Sequence, residues 1–264
     1  VRILDKIQNF EIRSDKIIYN KFLEKIVSRT NTKIDINNSH IITGKNIIFF
    51  RSKSQIQSNE PSIIKDKFNN VIKLNGFNYS IKNKTLKTNQ MESIDKDSNI
   101  YKSNNAIIDL KSQKLAAKDI QIYFAEGELG KNARLKGSSL MSENDISIIQ
   151  NGIFTACKIR NDCPPWSLKS KEIMHDKTKK SINYKDSWLQ LYDVPIFYFP
   201  KFFHPDPTVK RQSGFLTPTL LTSSTSGGSI SIPYYKVISD NKDTTFTPRI
   251  YFNDDFSIQS EYRQ

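Results

Sequence analysis

The sequence is short of most of what a catalyst or a cross-linked miniprotein is built from. Its 264 residues include two cysteines, three histidines, three methionines and nine glycines. Two cysteines cannot staple a chain of this length, which excludes a disulfide-rich miniprotein. No apolar run approaches the ~18 residues that a membrane helix needs, which excludes an α-helical membrane protein. A membrane β-barrel stays open, because its strands need only alternate. Val1-Arg2-Ile3-Leu4 lacks the apolar core of a signal peptide, so a mature, truncated or cytoplasmic chain is expected. His40, His175 and His204 are far apart, and Gly-x-Ser-x-Gly, His-Glu-x-x-His and phosphate-loop motifs are all missing. Asp176 and Glu172 near His175 read as a solvated turn. No enzyme and no cofactor are expected, although a stacked-β glycan lyase would show similar repeats.

What the chain does have is unevenly placed. The formal net charge is +13, yet from residue 190 onward seven Lys/Arg balance seven Asp/Glu. Fourteen of the 29 aromatic residues fall in those last 75 positions. A basic, Ile/Asn/Lys-rich front therefore joins a neutral back rich in aromatics, Ser and Thr, and the boundary is set at 189/190. Basic charge of this size raises nucleic acid as a partner. Here it alternates with strand positions and no nucleic-acid-binding motif appears, so no nucleic acid is expected; an anionic lipid would be an equal electrostatic partner.

The front half repeats one template. Apolar residues recur at i, i+5 and i+7 in Ile12…Ile17…Tyr19, Ile42…Ile47…Phe49, Leu74…Tyr79…Ile81 and Leu115…Ile120…Ile122. Weaker copies are Tyr101…Ala106…Ile108 and Leu168…Ile173…His175. Positions i+5 and i+7 share a strand face, whereas the step from i to i+5 changes parity and predicts a bulge or bend. Polar turns at 82–85, 111–114 and 176–179 follow. The prediction is an all-β, open, stacked jelly-roll over residues 1–189, with an ordinary antiparallel sandwich as the alternative.

The back half alternates cleanly. Ile230, Ile232 and Tyr234 share a parity, as do Phe246, Ile250 and Phe252, and Phe256, Ile258 and Tyr262. Apolar-out, polar-in alternation with aromatics near segment ends marks outer-membrane barrel strands. Three or four such strands cannot close a barrel of about eight, so a barrel would be incomplete in this chain.

Between the halves lie the most specific segments: Ile153–Cys157 (IFTAC), Pro165–Leu168 (PWSL), Glu172–Asp176 (EIMHD), Val194–Pro200 (VPIFYFP) and Arg211–Pro218 (RQSGFLTP). Pro233–Tyr235 (PYY) and Asp243–Pro248 (DTTFTP) complete the series. In this order and spacing, over roughly residues 150–250, they closely resemble the LPS-assembly protein family of Gram-negative outer membranes (LptD, the organic solvent tolerance or OstA family). Residues 10–125 are similar to the family's jelly-roll by repeat pattern.

The resemblance implies a periplasmic β-jelly-roll in residues 1–189, then a linker and the opening strands of an outer-membrane β-barrel in 190–264. It implies lipopolysaccharide transport to the outer leaflet, acyl chains running in the jelly-roll groove and leaving through a lateral barrel gate. Implied partners are lipopolysaccharide, an outer-membrane plug lipoprotein (LptE-like) and a periplasmic jelly-roll bridge protein (LptA-like), at the cell outer membrane. Ile17, Tyr19, Ile47, Phe49, Tyr79, Ile81, Ile120 and Ile122 become candidates for the groove lining, where each buried CH₂ contributes about 0.8 kcal/mol. Their alternative is a closed core. Pro218 and Pro233, read as lying inside strands and lacking a ladder donor, match the family's gate prolines, and Pro248 is read as a bend. Cys157 matches a family cysteine bonded to one late in the barrel. Cys163 departs from that pattern, and a local Cys157–Cys163 disulfide is the alternative, its connectivity left open by sequence. A zinc site is not expected, given the spacing and the solitary His175. A soluble periplasmic β-scaffold, bridging partners edge to edge without lipid, is the competing function.

Overall fold

The computed structural model describes residues 1–5, 10–36, 39–66, 70–95, 97–125, 132–158, 164–209, 211–216, 218–223, 227–253 and 255–264. The described residues form strands and turns and no helix. They divide into two compact units, 1–208 and 209–264.

The first unit begins with seven short strands: β1 (Arg2–Asp5), β2 (Phe10–Ser14), β3 (Ile18–Asn20), β4 (Lys25–Ser28), β5 (Thr32–Ile36), β6 (His40–Gly44) and β7 (Ile47–Phe50). Ten long strands follow. They are β8 (Gln55–Asp66), β9 (Val71–Ser80), β10 (Thr85–Ile94), β11 (Ile100–Asp109), β12 (Lys114–Tyr123), β13 (Arg134–Glu143), β14 (Ile146–Thr155), β15 (Trp166–Asp176), β16 (Ser181–Leu191) and β17 (Val194–Pro205). The expected boundary at 189/190 falls inside β16, and β17 continues the same sheet by pairing with β16 along its length.

All pairings are antiparallel, and β8 shows how the layers arise. Its first part pairs with β7, which continues to β4 and β3; its last part pairs with β6, which continues to β5, β2 and β1. One strand thus serves two sheets, and β9 to β17 stack onto it in sequence order. β9, β11, β12, β14 and β16 each carry a left-handed residue near the middle, where the strand bends from one sheet into the other.

The bend is the parity change read in the sequence. In β11, Tyr101 and Ser103 are buried, Asn104 and Asn105 are exposed, and Ala106 and Ile108 are buried. In β12, Ala117 is followed by exposed Lys118 and Asp119, then buried Ile120 and Ile122. Residues with left-handed backbone sit at these points: Asn105 (φ 51°), Asp119 (φ 51°), Asn151 (φ 49°) and Asp186 (φ 52°). Asn and Asp tolerate that conformation better than other side-chain-bearing residues. In β9 the position belongs to Gly76 at φ +72°. Gly152 answers a different need, since a Cβ there would lie 2.3 Å from Ile173 Cδ1 on the adjoining strand.

Between the sheets runs one continuous core from Phe10 to Tyr184. Ile34, Ile42, Ile56, Leu86, Ile122, Leu135, Ile149, Ile173 and Ile182 are completely buried, each such side chain contributing about 1.5–3 kcal/mol on removal from water.

The second unit contains β18 (Gly214–Phe215), β19 (Thr219–Ser223), β20 (Gly227–Ser231), β21 (Tyr234–Ser239), β22 (Lys242–Tyr251) and β23 (Phe256–Arg263). β22 is its spine, with β23 on one side and both β20 and β21 on the other. Cross-strand registers put Leu220, Ile230, Ile250 and Phe256 on one face, joined by Tyr234 and Phe246 and by Pro248 and Ile258. Phe256, Ile258 and Tyr262 on that face are 56–62% exposed. The opposite face carries Asp243, Thr245, Thr247 and Arg249 beside Arg263, Glu261, Gln259 and Ser257. The fold class is therefore a β-jelly-roll plus the first part of a β-barrel, as the alternation predicts.

Candidate functional site: a slot between two sheets

The two sheets enclose a cavity of about 570 Å³ at the ends of the long strands. One wall carries Ile64, Ile72, Ser93, Ile94 and Tyr101; the facing wall carries Ile108, Leu110, Leu115, Leu140 and Ser147. Tyr101 and Ile108 stand near opposite ends of β11, and only the bend at Asn105 lets both border one space. A second hollow of about 330 Å³ shares His40, Asp66, Leu110 and Gln113 with the first and reaches Tyr79.

The mouth of the slot is polar. Asp95 follows β10 in one wall and Lys177 follows β15 in the other, and Lys177 Nζ donates to Asp95 Oδ2 at 3.1 Å. The two side chains are only 14% and 17% exposed. The Lys177 ammonium also sits 4.7 Å from the centre of the Tyr101 ring, a cation–π distance. Tyr101 is itself buried, and its hydroxyl has no hydrogen-bond partner among the described residues. Burial and the nearby Asp95 push that phenol far above its ordinary pKa, so it stays a neutral donor. Burial alone would raise the Asp95 carboxyl, but Lys177 and the Asn99 backbone N–H outweigh it and leave it below the usual range.

A second buried polar cluster closes the last strands. His175 Nε2 donates to Asp206 Oδ2 at 2.5 Å, with both side chains almost fully buried. Thr208 donates to Asp206 Oδ1 from its backbone N (2.8 Å) and its hydroxyl (2.7 Å). Burial would raise the Asp206 carboxyl, yet the His175 and Thr208 hydrogen bonds hold it down at about 2. Tyr184 donates to His204 Nε2 at 2.6 Å, and His204 Nδ1 donates to the Pro205 carbonyl at 2.5 Å. Burial keeps His204 below its ordinary pKa. Both histidines are thus held in place by the fold. Among the described residues, no three His, Cys, Asp or Glu side chains converge to hold a metal.

The residues singled out in the sequence fall into separate places. Ile47, Phe49, Tyr79, Ile81, Ile120 and Ile122 are 0–7% exposed within the core, and Ile17 packs against it half-buried. Tyr19 is a correction: it lies on β3, where all three side chains face outward, and is 49% exposed. None of the eight borders the larger cavity. Its walls take instead the outer template positions, such as Tyr101, Leu115 and Ile108. In the β11 repeat the i, i+7 span carried that signal, since Tyr101 and Ile108 both border the cavity once the strand bends. Cys157 is half-buried and free, and Cys163 lies outside the described residues.

The prolines also need correcting: Pro218 and Pro233 do not lie inside strands. Pro218 precedes β19, Pro233 separates β20 from β21, and Pro248 is the one inside a strand, β22. The β20 and β21 registers against β22 are continuous, placing Ile232 opposite Pro248. Ile232 N donates to the Pro248 carbonyl (3.3 Å), and Leu216 N donates to the Pro233 carbonyl (2.8 Å). Neither proline can return a donor. Each crossing is therefore half-bonded, and the two half-bonded crossings adjoin across three neighbouring strands.

Comparison with known proteins agrees with this architecture. A family model described as LptD protein matches residues 182–264. The chain is 32% identical over 165 residues to the LPS-assembly protein LptD of Escherichia coli strain K12, covering 60% of this chain and 20% of that protein. The proteins of the same name from Escherichia coli O1:K1 and Shigella flexneri serotype 5b (strain 8401) match over the same shares. The chain thus spans about one fifth of the length of the curated relatives it matches. A two-sheet stack of bent strands and a separate two-faced sheet thus occur in a chain whose residues 182–264 match the LptD family model, and which is similar over 60% of its length to LPS-assembly proteins LptD.

Proposed function

We propose that this chain takes part in lipopolysaccharide transport and assembly at the outer membrane, without catalysing a reaction. The observation that carries this reading is the slot: a largely apolar space between two sheets, polar at its mouth. Such a space suits an acyl chain, which gains about 0.8 kcal/mol for each CH₂ removed from water. Lipid phosphates would stay at the wet rim, attracted by the +13 charge of the chain. Core residues such as Ile47 and Ile120 would form the backing of the walls, and cavity residues such as Tyr101, Ile108 and Leu115 would meet the lipid.

The second unit supplies opening strands of a barrel. Its exposed apolar face is wider than soluble surfaces normally tolerate, and a bilayer would cover it. The half-bonded crossings at Pro233 and Pro248, with Pro218 alongside, make this the weakest line of the sheet and fit a lateral exit. The first unit would then stand in the periplasm. There, the edges of its sheets offer strands for a jelly-roll bridge partner (LptA-like), and a plug lipoprotein (LptE-like) would fill the completed barrel. Cys157 is available for a disulfide in that oxidising compartment. A scaffold that carries no lipid would need no cavity between its sheets.

Filling the slot tests the transport reading. Leu140→Trp should weaken binding of lipopolysaccharide to the chain at least tenfold, whereas Ile148→Trp on the outer face should leave it unchanged. Equal binding by both variants would remove the slot from the function.

A further inference from the structure

The polar contact at the mouth is built differently from a surface ion pair. Asp95 is locked in its turn: Oδ1 accepts from the backbone N of Asp97 (3.0 Å) and Asn99 (2.9 Å), and Oδ2 accepts from Asn99 Nδ2 (3.2 Å). Asn99 is fixed in turn, because its Oδ1 accepts from Ala125 N at 2.9 Å. Lys177 is anchored only through its backbone, whose N–H donates to the Asp145 carbonyl at 2.9 Å. Its four-carbon stem then crosses from one wall to the other. A preset acceptor therefore faces a movable donor 82 positions away in sequence.

We propose that Lys177 and Asp95 form a clasp across the mouth of the slot, and that swinging Lys177 away admits an acyl chain. This rests on the reading of the slot as a lipid site. Three features support a gate over a mere brace. Both residues and the Tyr101 beneath them line the cavity itself. The Asp95 turn keeps its other hydrogen bonds when Lys177 leaves, so opening breaks only the ion pair and the Lys177–Tyr101 cation–π contact. The Tyr101 hydroxyl, buried beside Asp95 without a hydrogen-bond partner among the described residues, is uncovered by that movement and can donate to a polar oxygen near the head of the entering chain. Without such a ligand it remains an unmet donor, which proteins seldom bury.

The test places a photo-crosslinker at Leu115, inside the slot, in the whole 264-residue chain, and adds lipopolysaccharide micelles. Adduct formation is followed in the unaltered sequence and in Asp95→Asn, Lys177→Met and Lys177→Arg. Asp95→Asn retains an oxygen for the turn, and urea unfolding verifies that each variant is folded. Adducts should form severalfold faster in Asp95→Asn and Lys177→Met, and no faster than in the unaltered chain in Lys177→Arg. Equal rates in all four, with adducts present, overturn the clasp and leave the slot standing. No adducts in any of the four overturn the lipid slot, and the clasp falls with it.

Discussion

Single residues set the curvature on which the cavity depends. Asn105, Asp119, Asn151 and Asp186 turn long strands at left-handed positions, and a β-branched side chain there is strained. Asn105→Val should cost about 1–3 kcal/mol in urea unfolding of the chain, whereas Asn105→Gly should be tolerated. Asp206 gives a pH signature. Its carboxyl is held at about 2 against an ordinary 3.8, so the native state favours the ionised form. That contribution, on the order of 2 kcal/mol, is complete above pH ~4 and is lost as pH falls toward ~2. Acid unfolding of Asp206→Asn should lack this component, and its stability at pH 7 should fall by a similar amount. These residues show where sequence reading works. The i, i+5, i+7 template records the bend because a parity change needs only neighbouring residues. The turn expected around His175 forms at 177–180, but His175 itself is buried in β15, and its partner Asp206, 31 positions on, is out of reach of any local pattern.

At the scale of elements, the back strands were legible as alternation and the proline effect was not. Pro218 and Pro233 read as strand interiors because flanking residues continue the pattern. The break comes instead from donors that Pro233 and Pro248 cannot return across the ladder. Pro248 looked like an isolated bend until register placed it opposite Ile232. Replacing Pro233 and Pro248 together with Ala should restore two hydrogen bonds and join β20 to β21. A gain of about 0.5–1.5 kcal/mol per bond should appear as slower hydrogen exchange of the amides around Leu216 and Ile232. Exchange as fast as in the unaltered chain would mean that the prolines do not weaken this line.

For the whole molecule, the jelly-roll and the start of a barrel follow from periodicity, whereas the slot does not. Its walls join residues from β6 to β14, and its mouth joins positions 95 and 177. No local pattern reveals which strand ends face each other, so the core residues nearest each bend were read as the lining. The central claim is that one acyl chain lies between the two sheets. Photo-crosslinkers at Ile72 and Leu115, on opposite walls, with Ile107 and Ile146 as outward controls, test it directly using lipopolysaccharide of one defined chemotype. Adducts at both wall positions, mapped to an acyl chain and missing from both controls, are the predicted result. Adducts at the controls equal to those at the walls, or none at either wall of the folded chain, would contradict it.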